Sequence, residues 1–459
     1  MKKKTNRFIF IAQFLTALLI LGYSPLSGQQ VFDLKGAGAR AAGMGYAFIG
    51  VADDATASSW NPGGLTQLDN VDFSAVTDYT FDDFYKYDYI NDPSTPIEEV
   101  SMQQRFDLNY ASLVIPIKFN TKSLALGFSV QNYINYKWAY EQPFVEGEFN
   151  YVSRFNKVQI FAGTFTMAYT LSNALSLGLS TNYYFSTGNE IGGTYYADPE
   201  SNYRVNYEGY GGLNFTMGLL LDMDEAGWNI PVRLGGRLST PFELESQVEY
   251  VDYASGSFTD GWEMPMIAGL GMSVLLGNNF TLSADYDIRF MEDKNSYYYG
   301  ELYDYRYDAN TNFPFDQDEW YYLEQSKEES LAPIVETNEN ISQLRLGAEY
   351  NIPIGLNSLP LRVGYKTNPT TSANVNTDGS LGDLASGTSI HFGIGYSTPK
   401  FTFDLALTDF TYTVDDMETD LEQQGSQYQY TESKSSIITS LIIYLGRSSD
   451  EAASDDINY

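Results

Sequence analysis

The sequence contains no cysteine, so neither a disulfide nor a thiolate metal site can hold it together. It has a single histidine, His391, which cannot form a His/Cys/carboxylate metal site by itself and gives no serine a motif-supported base. Cations are scarce. Lys and Arg number 26 against 59 Asp and Glu, for a formal charge of −33, which argues against nucleic acid as a partner. Phosphate loops and zinc motifs are missing as well. No enzyme activity, resident metal or cofactor is expected. Long apolar runs are also missing: beyond Phe8–Leu21, nothing approaches the ~20 residues of a membrane helix.

What is abundant points to β-structure. The chain holds 38 Tyr, 28 Phe and 39 Gly. Lys2, Lys3, Lys4 and Arg7, the apolar run 8–21 and the small residues Ser27-Gly28 read as a signal peptide over 1–28. The chain is therefore expected to be exported, with its rigidity coming from sheet closure or packing.

Beyond residue 70 the pattern has period two. Leu124, Leu126, Phe128, Val130, Ile134, Tyr136 and Trp138 share one face, and Ala125, Gly127, Ser129, Gln131, Asn135 and Lys137 the other. Leu175, Leu177, Leu179, Tyr183 and Phe185 oppose Ser176, Gly178, Ser180, Asn182 and Ser186. Leu282, Ala284, Tyr286, Ile288 and Phe290 oppose Ser283, Asp285, Asp287 and Arg289. Alternation over about ten residues with aromatics near the ends marks a transmembrane β-barrel strand, whereas sandwich strands are shorter. Fourteen such segments are expected, near 71–84, 104–118, 123–139, 155–171, 174–188, 204–222, 229–246, 263–276, 279–296, 340–352, 359–371, 386–398, 400–415 and 433–446. Counts of 12 or 16 remain open.

Short turns at 119–122, 172–173, 277–278 and 399 alternate with long connections at 85–103, 140–154, 189–203, 247–262, 297–339, 372–385 and 416–432. That is the two-rim asymmetry of an outer-membrane barrel. The longest connection is acidic and aromatic. Its Asp316-Gln317-Asp318-Glu319 offers carboxylates to Ca²⁺ but lacks the glycine and terminal Glu of a calcium loop, so it reads as a solvated loop.

The inner face is charged: Arg105, Asp107 and Asn109, then Arg233, Arg237, Asp285, Asp287, Arg289, Arg345, Glu349, Arg362, Lys366, His391 and Asp404. These residues either pair with one another and fill the lumen, or lend a cation to a ligand carboxylate. Arg233, Arg237, Arg362, Lys366 and His391 are the candidates for the second role. An arginine fork suits such a carboxylate.

One stretch breaks the period. Residues 36–68 are rich in Gly and Ala, with Asp53-Asp54 followed by Trp60-Asn61-Pro62-Gly63-Gly64. Close packing and a bend at Asn61-Pro62 follow. The residues alone allow either a plug or an ordinary loop with a short helix. The order Gly-Ala-Arg-Ala-Ala-Gly-Met-Gly (38–45), Ala-Asp-Asp-Ala (52–55) and Trp-Asn-Pro-Gly (60–63) resembles the N-terminal hatch of FadL-type outer-membrane transporters, with Gly63 where that family usually has Ala.

The resemblance implies an all-β fold, a 14-stranded antiparallel transmembrane β-barrel with the hatch inside its lumen. The domain reading is signal peptide 1–28, hatch 29–69, barrel 70–446 and polar tail 447–459. It also implies passive passage of long-chain fatty acids, aromatic hydrocarbons or similar compounds across the bacterial outer membrane. The partners would be membrane lipid and a hydrophobic small molecule, and a monomer is expected. The family's third strand carries an inward kink that opens sideways into the membrane. Here Asn132, a polar break in an apolar face, and nearby Gly127 are the candidate positions, although an isolated polar residue near an interface would read the same. The second functional reading is a barrel that binds or shuttles proteins for a secretion system, since acidic, aromatic outer loops suit a protein partner. If the hatch fills the lumen, Asp53 and Asp54 should find partners among the inward cations of the wall.

Overall fold

The structure, a computed structural model, describes residues 36–445 apart from 90–97, 120–121, 136–137, 143–151, 189, 196–202, 208, 251–253, 305–320, 326–331, 377 and 418–426. The expected signal peptide, residues 29–35, Asp316–Glu319 and the polar tail lie outside the described residues.

The described residues begin inside the lumen with helix α1 (Ala39–Gly43), helix α2 (Ala57–Trp60) and a 3₁₀ turn (Pro62–Gln67). The wall follows from Val71. Its strands are β1 (Val71–Tyr89), β2 (Glu98–Ser101 and Arg105–Phe119), β3 (Lys122–Asn135 and Trp138–Gln142), β4 (Val152–Asn156 and Gln159–Ser172) and β5 (Leu175–Thr187 and Glu190–Tyr195). Next come β6 (Tyr203–Tyr207 and Gly211–Asp222), β7 (Val232–Ser239 and Phe242–Tyr250), β8 (Ala254–Met264 and Met266–Leu276) and β9 (Phe280–Phe290 and Asn295–Asp304). The wall ends with β10 (Ile341–Ile354), β11 (Asn357–Val375), β12 (Leu381–Ser397), β13 (Phe401–Met417) and β14 (Gln427–Leu445). Each pairs antiparallel with the next, and β14 closes on β1 from Val71↔Leu445 to Tyr89↔Tyr428. Closure removes the edges that lipid would leave unsatisfied. No helix among the described residues is long and apolar enough to cross a membrane; the strands do so.

The alternation sets the two faces. Phe128, Phe165, Met167, Leu177, Leu179, Phe215, Met217, Leu361, Val363, Ile390 and Phe392 are exposed on the outside, while Ser129, Thr166, Ser180, Thr216, Arg362 and His391 are buried within. Lipid accepts only the first set, so the register has little freedom. The closing strand has a blurred pattern because its inner face is partly apolar. Ile438 belongs to the buried apolar cluster that includes the hatch alanines Ala37, Ala39, Ala41 and Ala42.

Three sequence expectations are corrected. First, much of the long connections is strand: 247–249 pairs with 257–259, 296–304 pairs with 254–262, and 300–304 pairs with Tyr321–Gln325. Beyond the lipid band the apolar face is no longer needed, so the alternation fades while the hydrogen-bond ladder continues. Second, Ile134 does not share the outer face of Phe128 and Val130. A β-bulge between Asn132 and Ile134 swaps the faces, and Ile134 joins a lumenal apolar cluster. A second bulge in β2, at Asn109, likewise turns Tyr110 inward. Third, Gly127 is not at that kink. It sits in a regular ladder between Val114 and Thr166, under Leu65 of the hatch.

Candidate functional site: the lumen around the hatch

The wall receives the hatch through glycines. On β5, β6, β7, β8, β10 and β11 the inner-face residues Gly178, Gly218, Gly235, Gly271, Gly347 and Gly364 lie against hatch backbone, and a Cβ at any of them would overlap it. Hydrogen bonds then fix the hatch. The Phe48 and Ile49 amides donate to Asp285 Oδ2 at 2.6 and 2.7 Å. The Ala39 amide donates to Ser440 Oγ at 2.6 Å, and Ser273 Oγ donates to the Gly50 carbonyl at 2.8 Å. Asn61 caps the 3₁₀ turn through the Gly63 amide and donates to the Ile49 and Leu219 carbonyls, so it ties Pro62 and Gly63 to β6. Trp60 is buried, donates to the Ala37 carbonyl and packs near Tyr46 and Phe48.

The Asp53-Asp54 pair is held differently from the sequence expectation. The main partner of Asp53 is Arg40 of the hatch itself, at 2.6 Å; the wall cation Arg233 is 3.9 Å away. Asp54 accepts from the Thr56 amide and hydroxyl, with Arg40 at 3.9 Å. Burial pushes the Asp54 carboxyl above the ordinary range, with Arg40 and Thr56 acting against that shift. Arg40 also grips wall Glu349 through both Nε and Nη2 at 2.9 Å. Glu349 pairs with Arg362, and Arg362 with Asp404 at 2.7 Å. One ionic chain thus runs Asp53–Arg40–Glu349–Arg362–Asp404 from hatch to wall. Such a chain holds only while every member stays paired.

The five cation candidates do not form one site. Arg362 belongs to that chain. Lys366 is buried over the rings of Tyr46 and Phe410, and His391 meets Tyr46 edge to face. Arg233 pairs with Asp222 at 3.0 Å, beside a polar recess between the 3₁₀ turn and the short turns of the wall. Of the five, Arg237 borders free space on the other side of the hatch, and its Nε has no hydrogen-bond partner among the described residues.

Sequence reading missed the feature above the hatch. Toward the long-loop rim, Ile160, Ala162, Tyr184, Leu244, Met264, Met291, Ile341 and Leu384 form an apolar layer inside a lumen that is polar lower down. The available signal was apolar residues on both faces at once, as at Ile160-Phe161 and Tyr183-Tyr184. Between this layer and the hatch lies a chamber of about 30 Å³, bordered by Ser58, Ser59, Gln131, Tyr133, Tyr184 and Arg237 among others. That is room for a water molecule or two, not for an aromatic ring.

Two ladders of the wall stop short, and the first of them borders the chamber. The β2–β3 ladder stops at Tyr110↔Gln131, although both strands continue. Both residues of this last rung are tied to the hatch: Tyr110 Oη donates to the Ala55 carbonyl at 3.0 Å, and Ser59 Oγ donates to Gln131 Oε1 at 2.8 Å. The β12–β13 ladder also stops, at Phe392↔Leu407, but there Gly387 packs directly on Thr411.

A closed barrel with an apolar exterior and the hatch inside its lumen defines this protein as an outer-membrane β-barrel. Neither a protein-family sequence model nor a curated protein sequence matches the chain. In fold it is similar to the toluene transporter TodX of Pseudomonas putida (TM-score 0.57, 13% identity, 91% of this chain and 100% of that one). It is also similar to a Pseudomonas aeruginosa FadL homologue (0.56, 15%, 88% and 97%). A third likeness is the toluene transporter TbuX of Ralstonia pickettii (0.54, 14%, 90% and 100%). The fold is that of the FadL-type channels, as the hatch motifs implied.

The glycine seat is testable. Gly364→Val places a branched side chain against the backbone of Met44 and Gly45, where no rotamer relieves the overlap. The barrel is expected to assemble and keep its heat-modifiable gel mobility, with the hatch displaced. Small-solute leakage through the purified protein in bilayers should rise; leakage at the parental level would show that the seat yields locally.

Proposed function

We propose that the chain is a passive channel that takes hydrophobic or amphipathic small molecules across the outer membrane, with the hatch as its plug. The apolar layer carries this reading. A lumen filled only to be solid would be expected to continue its polar packing, whereas apolar side chains directly above the hatch offer a partition site for a ligand arriving from outside. The shared fold with toluene transporters supports the same direction. The chamber is too small for a ligand, so passage requires the hatch, the β2–β3 interruption, or both to move. The bulge at Asn132 and the ladder stop favour release sideways into the membrane. For an acidic ligand, Arg237 is the best-placed of the five candidates to meet a carboxylate. The protein-shuttling reading rested largely on outer loops whose most acidic part lies outside the described residues, and nothing described favours it.

Uptake of toluene and of a long-chain carboxylate by cells carrying the full chain tests this. Leu244→Ser is expected to lower both several-fold, and Arg237→Gln to lower only the carboxylate. Unchanged uptake of both in Leu244→Ser would remove the layer from the route. Equal effects of Arg237→Gln would make that residue structural filler.

A further inference from the structure

The interruption between β2 and β3 is bridged by side chains rather than backbone. Asp107 Oδ2 accepts from Asn135 Nδ2 at 3.0 Å, and Asp107 Oδ1 from Gln159 Nε2 at 3.1 Å. The faces involved are unexpected. Asp107 lies on the inner face of β2, between exposed Phe106 and Leu108 and opposite Asp78 of β1. Asn135 and Gln159 are register partners on the outer face of β3 and β4, since the adjoining Ile134 and Ile160 point into the lumen. An outer-face amide can reach an inner-face carboxylate only if β3 has bent to the lumenal side of β2. The two strands approach each other again higher up, where Glu98–Ser101 comes near Trp138–Gln142. The result is a window with the Tyr110↔Gln131 rung as its sill.

We propose that Asp107 is the latch of this window: its two amide bonds hold β3 and β4 against β2 in the closed state, and sideways release requires both to break. Side chains replace the missing rungs, and side-chain bonds can open without unzipping a ladder. Asn132, at the bulge, leaves its buried Oδ1 without a hydrogen-bond partner among the described residues. Arg105 lies 4.0 Å from Asp107 and pairs with Asp83 at 2.8 Å, which anchors the latch on the β1 side. Asp107 is a positioning residue. The inference rests on the channel reading for its purpose, but its geometry can be tested separately.

The absence of cysteine makes the test clean. In Asp107→Cys/Asn135→Cys, a short, reducible bifunctional thiol reagent would staple the window; the original side chains meet at their tips, so a spacer is needed. Stapled cells should stop taking up toluene, and reductant should restore uptake. Uptake that continues unchanged in stapled cells would overturn the window as the route and leave the channel reading standing. A second measurement does not depend on transport. In purified full-length Asp107→Leu, amides at 105–109 and 132–135 should exchange about ten-fold faster or more, with Asp107→Glu intermediate and gel mobility unchanged. Unaltered exchange would overturn the latch whatever the cells transport. If no form, stapled or not, takes up toluene, the channel reading fails for that probe, and the exchange result still decides the latch.

Discussion

Deleting residues 36–68 is expected to leave a folded barrel and turn a plugged lumen into a conducting one. The ladders that close the wall, β14 on β1 included, use no hatch residue. The inner face that the hatch covers is largely polar, so water can replace it. Asp285 exchanges the Phe48 and Ile49 amides for solvent, and Glu349 keeps Arg362 when Arg40 is gone. The wall glycines would leave an open annulus where hatch backbone now lies. Planar-bilayer conductance should rise from near silence to steady open levels, and selective uptake of an apolar ligand should be lost. Conductance at the level of the intact protein would mean the segment does not block the route. Asn61→Ala should give a smaller effect of the same kind. It removes the ties to Ile49, Leu219 and Gly63, while Pro62 still restricts the bend.

Glu349→Leu should have the next largest effect. This carboxylate is almost fully buried and receives two guanidinium groups, Arg40 from the hatch and Arg362 from the wall. Removing the acceptor strands both cations, and breaking a buried pair typically costs about 3–5 kcal/mol. Arg362 keeps Asp404 and Arg40 keeps Asp53, so the lower end of that range is expected. The barrel can relieve the cost by releasing the hatch, which lets water reach both cations. A penalty of ~3 kcal/mol corresponds to more than about a hundred-fold shift in hatch docking. Open events in bilayer recordings should become correspondingly more frequent. Arg362→Met in the same background should deepen the loss, because it strands the buried Asp404 carboxylate. If Glu349→Leu records as a silent channel, the ionic chain is only packing.

The two variants separate what the barrel needs from what the plug needs. The barrel depends on ladder closure and on the outer apolar face. The plug depends on glycines, a bidentate arginine and a few hydrogen bonds to backbone amides. Strength on the plug side is moderate and distributed.

Much of this was legible in the sequence. Alternation is a local property: each residue's face follows from its neighbour's, and lipid rejects the wrong assignment. The strand pattern, the polar inner face, the inward His391 between Ile390 and Phe392 and a bend at Asn61-Pro62 were therefore legible locally, whereas the choice of fourteen strands over 12 or 16 and of a hatch over an ordinary loop leaned on the family resemblance. The tertiary structure decided the partners. Arg40 and Glu349 are 309 positions apart, and nothing local tells Asp53 to choose Arg40 over a wall cation. The inner glycines of β5–β11 read as gaps in a polar face until hatch backbone is laid against them. Ile134 reads as lipid-facing because the bulge at Asn132 depends on how β3 meets β4. The apolar layer was hidden for the same reason: its members lie on many strands and become one surface only when the sheet closes. Period-two chemistry is written along the chain, whereas pairing across a lumen depends on strand register and closure, which bring together residues hundreds of positions apart.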